Sequence, residues 1–314
     1  MTYTNFPSGI TSFGIPTFGS GGLLPFTGSY FWVNETTGSD GNTGGASDPF
    51  KTLARAINAA TANNGDVIFI EGTIHTTATI AWSKNGVNLI GLTSPSNNCQ
   101  AGISAQGATA FSPLVNVTGT GCIFANLSAF HGGFTGATGS QVCWNDAGGD
   151  NGYFNVEFFG GGDATTAALA GMRSLTITTN GNNQFVGCTI GLDTVTRATN
   201  ANASLELLSG TARNVFRSCI FQALVSDASD VHVTVGAAGM GTYCLFQECT
   251  FVNAVDSTAT AMSAAITADA AAGGSVLVQG GASVGATAIA TTGPVYVSGA
   301  VPTATTSSIA IHAT

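Results

Sequence analysis

Short apolar runs recur along most of the chain at a nearly constant spacing. One motif, apolar-x-x-apolar-x-apolar with Cys or Gly at some inner positions, can be aligned seven times. Its copies begin at Val87, Phe124, Tyr153, Phe185, Phe216, Phe246 and Val278, with steps of 37, 29, 32, 31, 30 and 32 residues. A period of about 31 residues is typical of solenoids, in which each repeat contacts only its neighbours.

The inner positions of the motif recur as well. They are Ile90/Leu92, Leu127/Ala129, Val156/Phe158, Cys188/Ile190, Cys219/Phe221, Cys249/Phe251 and, in a weaker copy, Gly281/Ser283. A second series of apolar runs, at 173–177, 203–207 and 231–235, keeps a similar step but lies between the motifs. Each repeat therefore holds at least two short strands separated by Gly, Asn, Ser and Thr turns, which predicts an all-β coil of parallel strands.

The motif also predicts a bend. In Phe216-x-x-Cys219-x-Phe221, the second and third apolar positions are two residues apart and share a strand face, whereas the first lies three residues before the cysteine. A tight bend between two strands restores the parity, so that all three side chains can point inward. The expected core ladder comprises Phe185, Cys188, Phe216, Cys219, Phe221, Phe246, Cys249 and Phe251.

Other elements precede the repeats. Tyr30–Asn34 and Asp66–Gly72 are predicted strands, and 49–63 is a predicted helix with Asp48 as N-cap and Pro49 at its first position. This helix is expected to cover the open first coil, as terminal caps do in solenoids. The predicted organisation is an arm (1–29), an entry segment with strand, helix and first coil strand (30–72), and the parallel coil (73–314).

The first 29 residues contain three prolines and many large apolar side chains. Such a segment is predicted to be extended, and either docks on a partner or folds onto its own domain. The expected partner-binding residues are Phe6, Ile10, Phe13, Ile15, Phe18 and Phe26.

The amino-acid composition argues against several classes of function. Charged residues make up 7% and apolar residues 44% of the 314-residue chain, and the net charge is -9. Nucleic acid is not expected as a partner, because phosphate binding needs clustered Lys and Arg. No apolar run reaches the length of a membrane span and no leader is apparent, so no membrane association and synthesis in a cytoplasm are expected. Seven cysteines, an odd number, favour reduced thiols over a disulfide framework.

The segment GSDGNTGGASDPFKTLARAINAATANNGDVIFIEGT (38–73) resembles the entry region of right-handed parallel β-helix proteins of the pectate-lyase-like superfamily, where a GSDxNxG loop precedes a capping helix and a first strand. The resemblance extends over residues 30 to about 300 and implies the fold, which hosts lyases, hydrolases, adhesins and phage proteins. The arm, TNFPSGITSFGIP included, resembles structural proteins of tailed bacteriophages encoded near the head genes, which implies a virion role and a homotrimer.

Candidate chemistry is sparse. Cys188, Cys219 and Cys249 occupy one repeat position, so a linear stack of apolar filler is favoured over a tetrahedral metal site or a strained disulfide. The polysaccharide-cleaving members that the chain resembles use clustered carboxylates, and their acid and base motifs do not align here. The nearest acidic pairs are Asp146 with Asp150 and Asp227 with Asp230, the latter on the strand that carries His232; turn roles are favoured for all of them.

The stretch Asp40–Gly44 resembles the start of a calcium loop, but Lys51 stands where the closing Glu would be, so a turn is predicted. No cofactor and no metal are expected. After Asp269 the chain has no Asp, Glu, Lys or Arg. This segment is expected to contact its copies in a trimer or, alternatively, to form a plain capped end.

The leading hypothesis is a non-enzymatic virion protein of a tailed bacteriophage, a capsid decoration or cement protein whose arm binds the major capsid protein. The alternatives are a receptor-binding tailspike or fibre domain and a polysaccharide lyase or hydrolase.

Overall fold

The computed structural model describes residues 11–12, 15–16, 28–93, 99–107, 110–132, 141–197, 202–254, 260–290 and 293–298. These residues form a right-handed parallel β-helix, which confirms the predicted fold class. Among them, the strands of the coil form one sheet of 16 and one of 7 strands, and every pairing within the coil is parallel.

The entry region contains few elements. The strands β1 (Thr11–Ser12) and β2 (Ile15–Pro16) pair antiparallel, and β3 (Tyr30–Asn34) is followed by the helix α1 (Leu53–Ala59). The first three coils comprise β4 (Val67–Glu71), β5 (Thr73–Thr76), β6 (Ile80–Trp82), β7 (Asn88–Gly91), β8 (Gly102–Ala105), β9 (Val115–Val117), β10 (Ile123–His131) and β11 (Val142–Asp146). The next coil comprises β12 (Gly152–Gly160), α2 (Ala164–Ala167) and β13 (Arg173–Thr178).

The remaining coils have three strands each. They are β14 (Gln184–Val186), β15 (Thr189–Ile190) and β16 (Ala203–Leu208); β17 (Asn214–Arg217), β18 (Ile220–Ala223) and β19 (Val231–Val235); β20 (Tyr243–Gln247), β21 (Thr250–Asn253) and β22 (Ile266–Ala268); and β23 (Ser275–Gln279), β24 (Ala282–Val284) and β25 (Val295–Val297).

The helix is shorter than predicted and has a different N-cap. It begins at Leu53, and the hydroxyl of Thr52 accepts the amide hydrogen bond of Arg55. The carboxylate of Asp48 instead accepts hydrogen bonds from the amide and hydroxyl of Thr43, which holds the preceding turn. Phe50 forms a parallel bridge to β3, so the residues before Thr52 are extended rather than helical.

The strand register follows the predicted motif with one correction. Phe185 pairs with Phe216 and Phe216 with Phe246, and the weak last copy pairs Phe246 with Val278. In the first copy, however, Phe124 pairs with Leu89 and not with Val87. Val87 and Leu89 are both buried and lie two residues apart, on one face of the strand, so either of them fits the inward position of the motif.

The bend predicted within the motif is a ladder of left-handed residues. In six successive coils the residue just before the inner position has a positive φ: Asn126 54°, Asn155 51°, Gly187 62°, Ser218 50°, Glu248 54° and Gly280 69°. Asn126 and Asn155 lie within the long strands β10 and β12, whereas the other four lie between two strands. A left-handed residue turns the chain within one step, which places the next side chain inside again. The bend therefore explains the three-residue spacing in the motif.

The core consists of stacked rings. The ring centroids of Tyr153 and Phe185 are 4.5 Å apart, those of Phe185 and Phe216 are 4.4 Å apart, and both pairs are nearly parallel. A second stack, with 5.0 Å between Phe221 and Phe251, lies beyond the bend. Since parallel strands are spaced about 4.8 Å apart, flat rings in successive coils reach contact distance without distortion.

Candidate functional site: the cleft beside the capping helix

A cleft of about 580 Å³ lies between α1 and the first strands of the coil. The side chains of Leu53, Ile57, Ile74 and Ile80 line it, and all four are nearly buried. Small and polar side chains form its rim, namely Lys51, Ala54, Asn58, Thr77, Ala78, Thr79 and Gln106. Its volume falls within the range of about 300–1,000 Å³ that is usual for ligand sites.

The helix that forms one wall is held by side chains of the entry loop. The carboxylate of Asp40 accepts hydrogen bonds from the amides of Lys51 and Thr52, at 3.1 and 2.9 Å, and from the Thr52 hydroxyl. The guanidinium of Arg55 lies 4.8 Å from the ring centre of Phe50. The predicted calcium-like stretch is thus a turn whose first aspartate positions the helix start.

The opposite wall is β5, whose outward side chain His75 meets Glu35. The Oε2 atom of Glu35 accepts a hydrogen bond of 2.7 Å from the His75 amide and lies 2.8 Å from the Nδ1 atom of the same residue. Partial burial raises the pKa of Glu35, but the hydrogen bonds and charge of His75, with the charge of Lys51, outweigh burial and lower the pKa below its usual value. Glu35 is therefore ionised and serves as a cap for the main chain of β5.

This arrangement suits binding better than catalysis. A Glu–His pair can orient a histidine as a general base, but catalysis of that type also requires a nucleophile or bound substrate group within hydrogen-bond reach. The hydroxyls that line the cleft belong to threonines, and that of Thr76 donates to the carbonyl of Ala78. What the cleft offers is an apolar floor beside a strand edge.

A second groove, of about 470 Å³, lies on the outer face of β12, β15 and β18. Glu157, Phe159, Asp193 and Gln222 contribute to its lining. Asp193 is exposed, whereas Glu157 is buried and accepts a 2.8 Å hydrogen bond from the Cys99 amide. The groove therefore combines an exposed carboxylate, an amide and a partly buried ring.

The two predicted acidic pairs do not form open sites. Asp146 is buried and faces the core, where it accepts hydrogen bonds from the amides of Gly148 and Gly149, while Asp150 is exposed. Burial raises the pKa of Asp146, and its hydrogen bonds, that of Tyr153 foremost, counter this only in part.

In the second pair, Asp227 with Asp230, one carboxylate also lies at the surface and the other in the interior. Asp227 accepts hydrogen bonds from the amide and hydroxyl of Ser229, which lower its pKa, and so holds a turn. Asp230 is buried and accepts a hydrogen bond from the Asn202 amide. The predicted turn role thus describes Asp227, whereas Asp230 belongs to an interior cluster.

That cluster also contains Arg197 and His232, which the sequence reasoning had not linked to each other. The Arg197 Nη2 atom donates to Ser204 at 3.0 Å, and Ser204 neighbours His232 in strand register because Ala203 pairs with Val231. Among the described residues, four polar atoms of the cluster have no hydrogen-bond partner: Arg197 Nη1, Asp230 Oδ2, His232 Nδ1 and His232 Nε2.

Burial governs the ionisation of this cluster. It lowers the pKa of Arg197 to about 10, which the charge of Asp230 partly offsets, and lowers the pKa of His232 to about 3. It raises the pKa of Asp230 to about 6 against the opposing Asn202 hydrogen bond and Arg197 charge. At neutral pH the interior thus holds a charged arginine, a largely ionised aspartate and a neutral histidine.

The cysteine ladder lies inside the coil. Cys188, Cys219 and Cys249 are buried free thiols, and each sulfur lies 3.4–3.6 Å from a main-chain carbonyl oxygen of the preceding coil. Burial raises the pKa of Cys219 well above its usual value. Phe185, Phe216, Phe221, Phe246 and Phe251 are also at most 1% exposed. Within the described residues, no three His, Cys, Asp or Glu side chains are grouped to hold a metal ion.

The predicted partner-binding residues of the arm lie almost entirely outside the described residues. Phe6, Ile10, Phe13, Phe18 and Phe26 are not described, and for Ile15 the structure gives only the main-chain pairing with Ser12. In the described part of the chain, no helix is both long enough and apolar enough to cross a membrane.

The sequence reasoning missed two structural features, and only the first of them has a signal in the sequence. The side-chain oxygens of Asn151, Asn183 and Asn214 accept hydrogen bonds from the amides of Cys122, Asn151 and Asn183, which forms an asparagine ladder. Each of these asparagines lies two residues before an aromatic motif start, so the pattern Asn-x-Phe/Tyr was a usable signal. The Glu35–His75 contact joins residues 40 positions apart and has no such periodic signal.

No protein-family description and no curated protein sequence matches this chain. Solved structures do match. The pectate lyase Pel9A has a TM-score of 0.58 at 15% identity, over 87% of this chain and 68% of its own. The pectin methylesterase PemA from Erwinia chrysanthemi has a TM-score of 0.57 at 12% identity, over 89% of this chain and 92% of its own.

A pectin methylesterase in complex with a hexasaccharide also matches, with a TM-score of 0.58 at 14% identity, over 90% of this chain and 94% of its own. At such identities, the similarity shows the parallel β-helix fold that the sequence resemblance implied. It does not extend to activity, because this fold carries many unrelated functions.

Proposed function

We propose that this protein is a non-enzymatic structural protein of a tailed-bacteriophage virion, a decoration or cement protein that stabilises the capsid. The β-helix stands on the shell as a homotrimer, and the arm binds the major capsid protein. The observation that supports the proposal is the use of the carboxylates: most of those in the described residues accept hydrogen bonds from main-chain amides and so hold the main chain.

Five aspartates illustrate this use. Each accepts at least one main-chain amide hydrogen bond: Asp40 from Lys51 and Thr52, Asp66 from Ser29 and Thr61, Asp146 from Gly148 and Gly149, Asp163 from Thr165 and Thr166, and Asp230 from Asn202. A carboxylate fixed by amide donors is committed to one orientation and stabilised as an acceptor. Such groups support a rigid scaffold more than an acid–base pair.

The interior supports the same role. Stacked rings, the asparagine ladder and the buried thiols each repeat over several successive coils, so equivalent contacts join these coils to one another. In a solenoid each repeat contacts its neighbours, and here two parallel sheets pair along the coil, which favours a stiff rod. A stiff rod suits a protein that stands on a shell.

The two ends of the chain supply the proposed contacts. The arm, residues 1–29, contains no Asp, Glu, Lys, Arg or His, and the segment after Asp269 contains no Asp, Glu, Lys or Arg. Large apolar side chains without charges are typical of buried interface centres. The arm is assigned to the capsid, and the C-terminal segment to contacts between the three copies.

The test is binding of the full chain to capsids that lack the protein, measured by co-sedimentation and by microscopy of the particles. Replacing Phe6, Phe13, Phe18 and Phe26 by Ser should abolish binding, whereas Val284→Ser, which alters an exposed apolar residue at the other end, should not. Unchanged capsid affinity of the four-fold variant would exclude anchoring by the arm.

Glycan binding is the second candidate, and the groove with Glu157, Phe159, Asp193 and Gln222 favours it. Carboxylate, amide and ring together can hydrogen-bond and stack on a sugar. The solved structures of similar fold include pectin-acting enzymes, one with a hexasaccharide. A glycan array and an activity screen on acidic and neutral polysaccharides test this candidate, with Asp193→Asn as the informative variant. If the protein neither binds nor cleaves any of these glycans, the receptor-binding hypothesis and the polysaccharide-cleaving hypothesis are both excluded.

A further inference from the structure

A stripe of apolar side chains runs along the outer face of the 16-stranded sheet. In its first six strands, β3, β4, β7, β10, β12 and β14, the residues that pair in succession are Trp32, Phe69, Ile90, Ala125, Phe154 and Val186. Phe69 is partly exposed, whereas its neighbours Ile68 and Ile70 are fully buried. Because side chains alternate along a strand, this column of residues points outward.

The stripe continues to the last described coil in the adjacent column. Its members there, all partly exposed, are Val215, Leu245, Leu277 and Tyr296 on β17, β20, β23 and β25. Val186 pairs with Arg217, so the step from Val186 to Val215 moves the stripe by one outward position. The ring of Phe154 joins the two columns, since it lies over Gly152, where an added Cβ would be 2.9 Å from it. These ten residues are called the apolar stripe below.

The outer face of the 7-stranded sheet is different. Its outward residues that pair in succession are Asn116, Asn145, Thr176, Glu206, Thr234 and Thr267. The Asn145 amide donates to Asn116, and the Thr176 hydroxyl donates to Asn145, at 2.8 and 2.7 Å. The same coil thus has a polar outer face on one sheet and an apolar stripe on the other. A long exposed apolar stripe is typical of an interaction surface.

We infer that the apolar stripe contacts the same stripe on a second copy of this chain, with the two β-helices parallel and side by side. Rotation about an axis parallel to the coils brings each residue to the height of its own equivalent. The inference deepens the proposed function, on which it rests for the number of copies, because it names the surface through which the copies meet.

The repeat distance of the stripe favours a second copy over other partners. Successive residues of the stripe are separated by about 4.8 Å, the distance between neighbouring strands. Side chains on one face of an extended segment recur at about 6.6 Å, and a helix turn rises by about 5.4 Å, so neither stays in phase over ten strands. A second copy has the same spacing over the same length.

Charge favours the same partner. Each copy has a net charge of -9, so two copies repel each other over most of their surfaces. The apolar stripe contains no charged residue. The residues that complete its two columns from β10 to β23 are Ile123, Gly152, Gln184, Arg217, Gln247 and Gln279, and Arg217 alone among these six is charged. Two copies can therefore meet at this face without placing carboxylates opposite each other.

The face is large enough for a specific contact. Ten strands extend over about 43 Å, and strands of four residues are about 13 Å wide, which gives on the order of 600 Å² per copy. A standard interface buries about 800 Å² per partner. Leu277 and Tyr296 belong to the segment after Asp269, which the proposed function already assigns to contacts between copies. The stripe extends that contact along the coil.

The test is sedimentation velocity of the full-length protein over a range of concentrations, with the variants Leu245→Glu and Leu245→Lys. If equivalent residues meet, either variant places like charges against each other. Thr234→Glu and Thr234→Lys are the matched controls, since Thr234 is also a partly exposed outward residue but lies on the 7-stranded sheet. Circular dichroism checks the fold of each variant, and the same two substitutions at Val215 replace those at Leu245 if the latter unfold the chain.

Wild-type protein should assemble, and each Leu245 variant alone should raise the Kd of assembly at least about a hundredfold, whereas the Thr234 variants should assemble as the wild type does. An equimolar mixture of Leu245→Glu and Leu245→Lys should assemble at least about tenfold more tightly than either variant alone, because opposite charges then meet. A monomeric wild type, a folded Leu245→Glu chain that assembles normally, or a mixture no tighter than its components would overturn the inference. Capsid binding is a separate measurement, so either result can fail while the other stands.

Discussion

The phenolic hydroxyl of Tyr153 donates a 2.7 Å hydrogen bond to the buried carboxylate of Asp146. This bond joins the aromatic stack of the coil to the turn after β11, where the same carboxylate holds the amides of Gly148 and Gly149. Asp146 occupies an inward position, since it pairs with Ile177 in the next coil. A carboxylate in the core is thus tolerated because neighbouring donors surround it.

We expect Tyr153→Phe to lower the free energy of unfolding by about 1–3 kcal/mol, since it removes a donor to a buried carboxylate and an acceptor for Trp144. Urea denaturation followed by fluorescence measures the change. Tyr243→Phe is the matched control: Tyr243 is exposed, and its substitution should change stability by no more than about 0.5 kcal/mol. Equal stability of Tyr153→Phe and the wild type would show that the hydroxyl does not support Asp146.

Cys219→Ser should destabilise the protein by about 1–3 kcal/mol without removing a metal ion, because a hydroxyl replaces an apolar thiol at a site that is 1% exposed. Thermal denaturation and elemental analysis of the same preparations measure both quantities. A stoichiometric metal in the wild type that is lost in the variant would contradict a role as core filler.

The stability of the fold should depend on pH through Asp230. Its pKa is raised to about 6 in the folded state, so the folded protein holds this proton more tightly than the unfolded chain does. The stabilisation is complete below the unfolded pKa and is lost as the pH rises through about 6. Asp230→Asn should therefore gain stability relative to wild type between pH 4 and pH 7.5, as measured by denaturation at each pH.

Asp227→Asn is the control for this pH profile, because the contribution of Asp227 to stability depends on pH in the opposite direction. The hydrogen bonds of Ser229 lower the pKa of Asp227, so its contribution is present at neutral pH and is lost as the pH falls through the lowered pKa. Parallel pH profiles of the wild type and Asp230→Asn would show that Asp230 does not titrate as the structure requires.

Gly187 allows a test of the bend ladder. Its φ is +62°, and an added Cβ would meet no atom within 4 Å, so a substitution there would change backbone strain without steric contact. We expect Gly187→Ala to cost about 1–2 kcal/mol. Ser218→Gly at the equivalent position, with a φ of +50°, should be neutral or stabilising. Denaturant midpoints of the two variants that move in the same direction would contradict the bend geometry.

The periodic part of the fold could be predicted because each coil must solve the same packing problem. The motif starting at Phe216 fixes the inward positions, and its three-residue spacing already requires the bend that Ser218 provides. The first copy was misaligned because Val87 and Leu89 are both apolar and buried, so apolarity alone could not distinguish them.

The site was less accessible to sequence reasoning. Asp48 does not cap the helix because its carboxylate accepts a hydrogen bond from the amide of Thr43, which leaves the cap to Thr52. The cleft beside α1 follows from the whole topology, since α1 packs against β3 and β6 while β5 forms the opposite wall. Contacts without a repeat, such as Glu35 with His75, leave no periodic trace in one sequence.

The equivalence of the bends has a consequence for how such a chain can change in length. Phe185 and Phe216 hold the same place in successive turns, so removal or duplication of the segment between them leaves each stack and each bend in phase. The height of the rod can therefore change in whole turns of about 4.8 Å while both ends stay as they are. The length of the β-helix would then increase or decrease in whole coils, by duplication or deletion of one repeat, and the residues at its two ends would not have to change.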